Sequence, residues 1–486
     1  MKKLLAFALL LCMLALPLLA CNGRGAGGGE TQPQQTEDAG VPLPEPKAEW
    51  EGKEYGIIYR DSDTYSCEWV FMEDEAGATI NDAIFKRNTA VEDRYGVFLQ
   101  LYPVANVSFE NDFLMPIKQA VSAGDDIYSL AAGYEYRLAT NATLGDFLDW
   151  YQMPNVDLEG AWWNRGFADA ASYNNHTYIM NGSLSLTHMY SSYCMFFNQD
   201  IINAQIEGGT AEIYDLVENG QWTYERFVEY VDQFTTNLGD PVWDENDAYG
   251  FATNDSTAVD AFIYCFDVSL SKRDVDGNIS IYLDPKMVDI ATALNDLINK
   301  SGNTYNQGTS TVEGLDIFVG MMLRGNTAFS TGSLRSATQL RETTINYGIL
   351  PYPKWNEAQT SYYSITLNSA TAFAIPRTVQ DTEFVGTITE ALAYYSHVYV
   401  RDALYNTVLK YRDAKDVESS KSVDIILDNT RYDFSYIYAF AWGDVQAPPT
   451  LLRICIQGGH DYISNGFDSN EKRYNSVLTS FLTNFK

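Results

Sequence analysis

The sequence predicts an α/β protein with parallel strand pairing, on three observations. Strands and helices alternate along residues 54–131. The helices are amphipathic and end at glycines. A further strand and helix return near residue 370, after a long intervening stretch. Glu54–Tyr59 (EYGIIY) reads as the first strand. In Thr79–Tyr95, Ile80, Ile84, Val91 and Tyr95 recur at helical spacing, and Gly96 is placed to stop the helix. Val97–Tyr102 alternates and reads as the second strand. Phe113–Ala123 reads as a helix stopped by Gly124, and Asp126–Ala131 as the third strand. This βαβαβ order implies a parallel sheet with helices packed on it. Thr223 is placed to cap a helix carrying Phe227, Tyr230, Val231 and Phe234 on one face. Ala370–Ile375 reads as a late strand, followed by an amphipathic helix over Asp381–Tyr395. A discontinuous two-lobe architecture explains that late return, although periodicity alone does not demand it.

The N-terminal end reads as a leader and a tether. Lys2 and Lys3 precede an apolar run, and Leu18-Leu19-Ala20-Cys21 follows it. This resembles the bacterial lipobox. The resemblance implies that residues 1–20 are a lipoprotein signal peptide, and that acylated Cys21 anchors the chain to the outer face of the cell membrane. Residues 21–50 are rich in Gly, Pro, Gln and acids without an apolar face, and read as a flexible tether. The folded part has the length of two or three domains, and no second run of eighteen apolar residues follows it.

With 64 acids against 32 Lys and Arg, the net charge of −32 disfavours nucleic acid, anionic lipid and polyanionic substrates as partners. The 34 Tyr, 24 Phe and 9 Trp exceed what one core needs and leave aromatics for a binding surface. Four cysteines remain beyond Cys21: Cys67, Cys194, Cys265 and Cys455. They allow three pairings, and the apolar runs around Cys194 and Cys265 fit buried free thiols, so they are read as unpaired. The four histidines form no zinc motif, and no cofactor or metal is expected. Asp274-Val275-Asp276-Gly277-Asn278 reads as a hairpin turn rather than a calcium loop, which needs more alternating ligands and a bidentate Glu.

Several segments resemble the extracellular solute-binding proteins of ABC importers, in the family 1 carbohydrate-type group. They include Asn81–Asn88 with Tyr95-Gly96-Val97, Asp126-Ile127-Tyr128, Leu144–Phe147 and Ala161–Asn164. Met195–Asp200, with Gln199 where the family carries Lys, Gln221–Phe227, Gly325–Phe329 and Tyr347–Lys354 follow in the same order. The resemblance covers most of residues 51–450. It implies a two-lobe periplasmic-binding-protein-like fold of type II, with mixed sheets, flanking helices and an interlobe cleft. Lobe 1 is expected at 51–187 and 368–410, and lobe 2 at 188–367 and 411–486. It also implies a monomer, not an enzyme, that captures a solute such as a neutral sugar or oligosaccharide and delivers it to a membrane permease. A surface glycosidase using paired carboxylates, or a ligand-sensing protein without a permease, are the other readings.

Sugars present apolar ring faces and hydroxyl edges, so aromatic residues on loops are the expected ligand contacts. These are Tyr134 after the third strand, Trp162 and Trp163, Trp243 on a polar loop, Trp355 and Tyr363 after the Leu-Pro-Tyr-Pro segment, and Trp442. Of Trp162 and Trp163, one is expected in the core and the other at the cleft, because neighbours on a regular element face apart. Trp222 is read as packing.

Overall fold

The computed structural model describes residues 43–486 apart from 62–68, 70–78, 106–108, 238–242, 307–310, 313–314, 342–343 and 444–445. The leader, Cys21, tether residues 21–42 and Cys67 therefore lie outside the described residues. Among the described residues, no helix is long and apolar enough to cross a membrane.

The elements follow the alternation read from the sequence. β1 is Glu54–Asp61, α1 Thr79–Tyr95, β2 Phe98–Ala105, α2 Met115–Ala123, β3 Leu130–Tyr134 and α3 Glu135–Ala142. The chain then builds β4 (Tyr193–Asn198), α4 (Tyr224–Phe234), β5 (Tyr249–Ala252), α5 (Thr257–Cys265), β6 (Thr304–Tyr305), β7 (Thr327–Ser333) and β8 (Tyr347–Leu350). It returns as β9 (Thr371–Ala374) and α6 (Thr382–Tyr395).

Two mixed sheets result. The first has the order β9-β3-β1-β2, in which β1 pairs parallel with β2 and β3 while β9 runs antiparallel to β3. The second has the order β8-β4-β7-β5-β6. There β4 runs antiparallel to both β8 and β7, and β5 runs parallel to β7 and β6. The two sheets are the centres of two lobes. The chain passes between them near residue 190 and again near residue 368, where Ser192 bridges Thr366. Ser364–Ile365 also pairs parallel with Thr430–Arg431.

Local chemistry explains most boundaries. α1 ends at Gly96, whose φ of 65° suits glycine and whose Cβ would strike the Glu51 carboxylate. Thr223 Oγ1 accepts from Arg226 N at 3.4 Å, so the expected cap forms, and Asp381 Oδ1 accepts from Phe384 N at 3.0 Å, which caps the second helix as well. The hairpin forms between Ser271–Arg273 and Ile279–Ile281. Asp274 Oδ1 accepts from Asp276 N and Asn278 N, both at 2.9 Å, so the turn's own backbone uses this carboxylate.

Three boundaries differ from expectation. The third strand begins at Leu130, not Asp126. Asp126 instead takes Gln380 N at 3.0 Å, while the Ile127 carbonyl crosses Gly56 so closely that a Cβ there would overlap it. The helix expected from Phe113 opens as a π-turn over Phe109–Leu114, where Phe109 and Phe113 stack at 5.0 Å. Residues 43–50 belong to the folded body rather than the tether. Leu43 and Trp50 are buried, and Tyr95 Oη donates to Pro44 O at 2.9 Å.

The C-terminal stretch, which carries no recognisable motif, folds as helices Leu451–Gln457 and Ile463–Leu482. Its end is fastened to the rest of the chain: Phe485 is buried against Tyr173, Tyr178 and Tyr438, and Tyr178 Oη donates to Lys486 O at 2.7 Å. Cys194, Cys265 and Cys455 are free and buried.

Candidate functional site

In open α/β sheets, ligands bind beyond the carboxyl ends of the strands. Here β3 leads at its carboxyl end into α3, and β5 leads into α5. Between these two helix starts lies a cavity of about 200 Å³, lined by Tyr136, Thr257, Asp260, Asn368, Ser369, Tyr436, Thr450 and Arg453 among others. Both lobes and the crossing segment thus contribute. The start of α3 is hooked to that segment by Glu135 N and Tyr136 N, which donate to Ala370 O and Asn368 O at 3.0 and 3.1 Å.

The floor is polar and charge-compensated. Asp260 is 1 % exposed and accepts from Arg453 Nη2. Burial opposes the charge on Arg453, but the Asp260 carboxylate outweighs it and holds the guanidinium above its ordinary value. Arg453 Nε and Ser369 Oγ are buried without a hydrogen-bond partner among the described residues. Such groups are expensive to leave dry, so they mark where a ligand's polar atoms would be taken.

The walls are aromatic. Tyr136 meets Phe440 edge-on at 6.2 Å, and Arg137 stands 5.4 Å from the Tyr136 ring while paired with Glu110 at 2.8 Å. Tyr436 packs on Tyr264 at 5.3 Å, and its hydroxyl accepts from Asn368 N at 3.4 Å. An apolar face, a carboxylate acceptor and guanidinium donors in one cavity can hold a neutral, hydroxyl-bearing ring.

None of the seven expected contacts lines this cavity, and Tyr134 packs against Tyr136, which does. Tyr134 is partly buried, 6.4 Å from Tyr136, under the Arg60 guanidinium at 3.7 Å. Arg60 in turn donates to Ser369 O at 2.6 Å. Trp442 is corrected to a core residue: it is 1 % exposed, with Nε1 donating to Tyr474 O at 3.2 Å. Trp243 is exposed, and lies against Tyr249 at the amino end of β5, away from the carboxyl ends. Trp355 stacks on Tyr224 at 5.5 Å and meets Phe266 at 5.1 Å. Tyr363 lies under Arg431 at 3.6 Å beside the short crossing pair. Trp222 is buried, with Nε1 donating to Pro351 O at 3.1 Å.

Trp163 is a buried core residue and Trp162 is partly buried beside it, and both border a second cavity of about 250 Å³, on the other side of the crossing segments. Their indole N–H groups share one carboxylate, donating to Glu390 Oε1 and Oε2 at 3.0 and 2.8 Å. Burial pushes the Glu390 carboxyl up to about 7, against the pull of those hydrogen bonds.

Asp260, Arg453, Tyr136, Tyr436 and Ser369 escaped the sequence reading. A signal was available for two of them: Asp260 is the lone acid in apolar TAVDAFIYC, and Arg453 the lone base in LLRICI. Buried opposite charges normally find each other.

No protein-family model matches the sequence, and no curated protein matches it. Solved structures do. An ABC substrate-binding protein from Listeria monocytogenes, in complex with cycloalternan, superposes with a TM-score of 0.54 at 11 % identity, over 88 % of this chain and 100 % of its own. A cyclo/maltodextrin-binding protein complexed with maltotetraose gives 0.52 at 14 % identity, over 89 % and 97 %. A solute-binding protein from Thermotoga lettingae, bound with alpha-D-tagatose, gives 0.50 at 15 % identity, over 88 % and 100 %. Likeness at such low identity speaks for architecture, and the architecture is plain: this chain has the two-lobe α/β fold of the solute-binding proteins of ABC importers.

Proposed function

We propose that the protein is an extracellular solute-binding protein that captures a neutral sugar or oligosaccharide between its lobes and hands it to an ABC permease. The observation that carries this reading is the cavity at the carboxyl ends of β3 and β5, where tyrosine faces meet the compensated Arg453–Asp260 pair. Solved proteins of the same fold were crystallised with cycloalternan, maltotetraose and tagatose. Tyr136, Tyr436, Ser369 and Arg453 are the proposed ligand contacts, with Tyr134 supporting Tyr136. The lobes are proposed at 51–187 with 368–410, and at 188–367 with 411–486, in a monomer anchored through lipidated Cys21.

A glycosidase needs two carboxylates across the scissile bond. Among the described residues lining this cavity, Asp260 supplies the only one, and it is engaged by Arg453. The reading is tested by thermal shift with cycloalternan, maltotetraose, tagatose and a peptide panel. A ligand at a hundredfold excess over Kd adds about 2.7 kcal/mol of stability. A sugar that raises the midpoint and is recovered uncleaved supports the proposal; shifts by peptides alone overturn the sugar class. Tyr136→Ala, removing an aromatic wall, is expected to weaken the bound sugar by about 2 kcal/mol, roughly thirtyfold in Kd.

A further inference from the structure

The cavity behind the crossing segments is larger than the cleft cavity and has the furnishing of a binding site. Trp162, Asn164, Ser183, Arg401, Asp428 and Tyr432 line it. Three charged side chains line it: Arg165, which is engaged by Glu159 and Asp169 outside the lining, and Arg401 and Asp428, which bear opposite signs and, among the described residues, take part in no ion pair. At ~30 Å³ per water, its volume holds about eight waters, space enough for one sugar ring.

The hydrogen-bond pattern supplies a free donor. Asn181 Nδ2 lies 3.3 Å from Thr371 O, which can only accept, so that atom is the amide nitrogen. The same nitrogen lies 3.3 Å from His188 Nδ1, which therefore accepts and leaves the proton on Nε2. His188 Nε2 donates to Tyr432 Oη at 2.7 Å, and Asn164 Nδ2 donates to the same oxygen. Tyr432 Oη thus accepts twice, which leaves its own hydrogen for a further acceptor, and Tyr432 is part of the rear cavity's lining.

The two cavities lie back to back. A void of about 10 Å³ between them is lined by Glu135, His188, Thr366, Tyr432 and Tyr436. His188 and Tyr432 also face the rear cavity, and Tyr436 faces the cleft. The wall between them is made of the segments that cross between the lobes.

We propose that this rear cavity is a second ligand site, for a neutral polyhydroxylated molecule of monosaccharide size, held by the Tyr432 hydroxyl, Arg401 and the Trp162 ring. Because the crossing segments form its wall, its occupancy and that of the cleft change each other's affinity by the same factor.

The test is calorimetric titration of the full folded chain with D-glucose, D-galactose, D-xylose and D-glucuronate. One of the three neutral sugars is expected to bind, with affinity reduced at least tenfold by Tyr432→Phe and by Arg401→Ala and unchanged by Tyr136→Ala. Arg401→Ala alone decides the matter if Tyr432→Phe lowers the melting temperature. Absence of binding by every neutral sugar overturns the site. Binding lost in Tyr136→Ala but kept in Arg401→Ala assigns it to the cleft and overturns the rear site. Preference for glucuronate overturns the neutral class. Binding that depends on Arg401, in a protein that takes neither a monosaccharide nor an oligosaccharide at the cleft, upholds the rear site while refuting the proposed function.

Discussion

Arg453 sits in an apolar helix and Asp260 in another, and each is there because of the other. Asp260 is 1 % exposed, and the Arg453 side chain 19 %. Removing one member of a buried pair strands the other charge at a cost of about 3–5 kcal/mol. Arg453→Leu is therefore expected to lose that much in urea unfolding, and the double variant with Asp260→Leu to recover most of it. A single variant as stable as wild type would show that the pair is solvated. Two other buried groups set the pH response. Glu135 is 4 % exposed, and burial pushes it up to about 8, against a hydrogen bond with Asn181. Its folded value lies above its unfolded one, so its neutral form is the native one, and stability is lost as pH rises from about 4.5 to about 8. Burial lowers His188 to about 4, so stability is lost as pH falls from about 6.5 to about 4. Between about 4.5 and 6.5 the two slopes oppose; above 6.5 Glu135 remains, joined up to about 7 by Glu390. Urea midpoints are expected to fall from pH 6.5 to 8, and Glu135→Gln to flatten much of that fall. An unchanged slope in the variant would remove Glu135 from the account.

At the scale of elements, legibility followed locality. The bounds of α1 were readable because its apolar period and its glycine stop are both written within eighteen consecutive residues. The start of β3 was not, because Asp126 and Ile127 are committed to contacts with Gln380 and Gly56, far away in sequence. The last helix shows the same limit. Its sequence has no recognisable motif, yet Phe485 just beyond it is 4 % exposed among Tyr173, Tyr178, Phe434, Tyr438 and Phe481. Phe485→Ala is expected to cost about 3–5 kcal/mol, as large-to-small core changes do, measured as a loss of unfolding free energy. A loss below about 1 kcal/mol would mean that this end is dispensable.

For the whole molecule, capture and the proposed retention at the membrane fall to different parts of the chain. The two sheets offer their strand ends to one cleft, while residues 43–50 pack on the body, so that the proposed tether ends by residue 42. A tether between a lipid and a folded body keeps a captured solute near its permease at high effective concentration. Cys21→Ala is expected to move the protein from the membrane fraction to the medium; continued retention would refute the lipid anchor.

By itself the sequence determined what depends on near neighbours: the βαβαβ order, the cap at Thr223, the helix that starts at Asp381 and the Asp274 hairpin. The family resemblance extended that to two lobes. The tertiary structure alone decided which aromatic faces which cavity. Trp442 reads as a loop aromatic but meets the last helix, Trp162 and Trp163 both border the rear cavity while sharing Glu390, and Tyr136 reaches the cleft. Burial of an aromatic is set by the partners that long-range packing brings to it, and no local period records them.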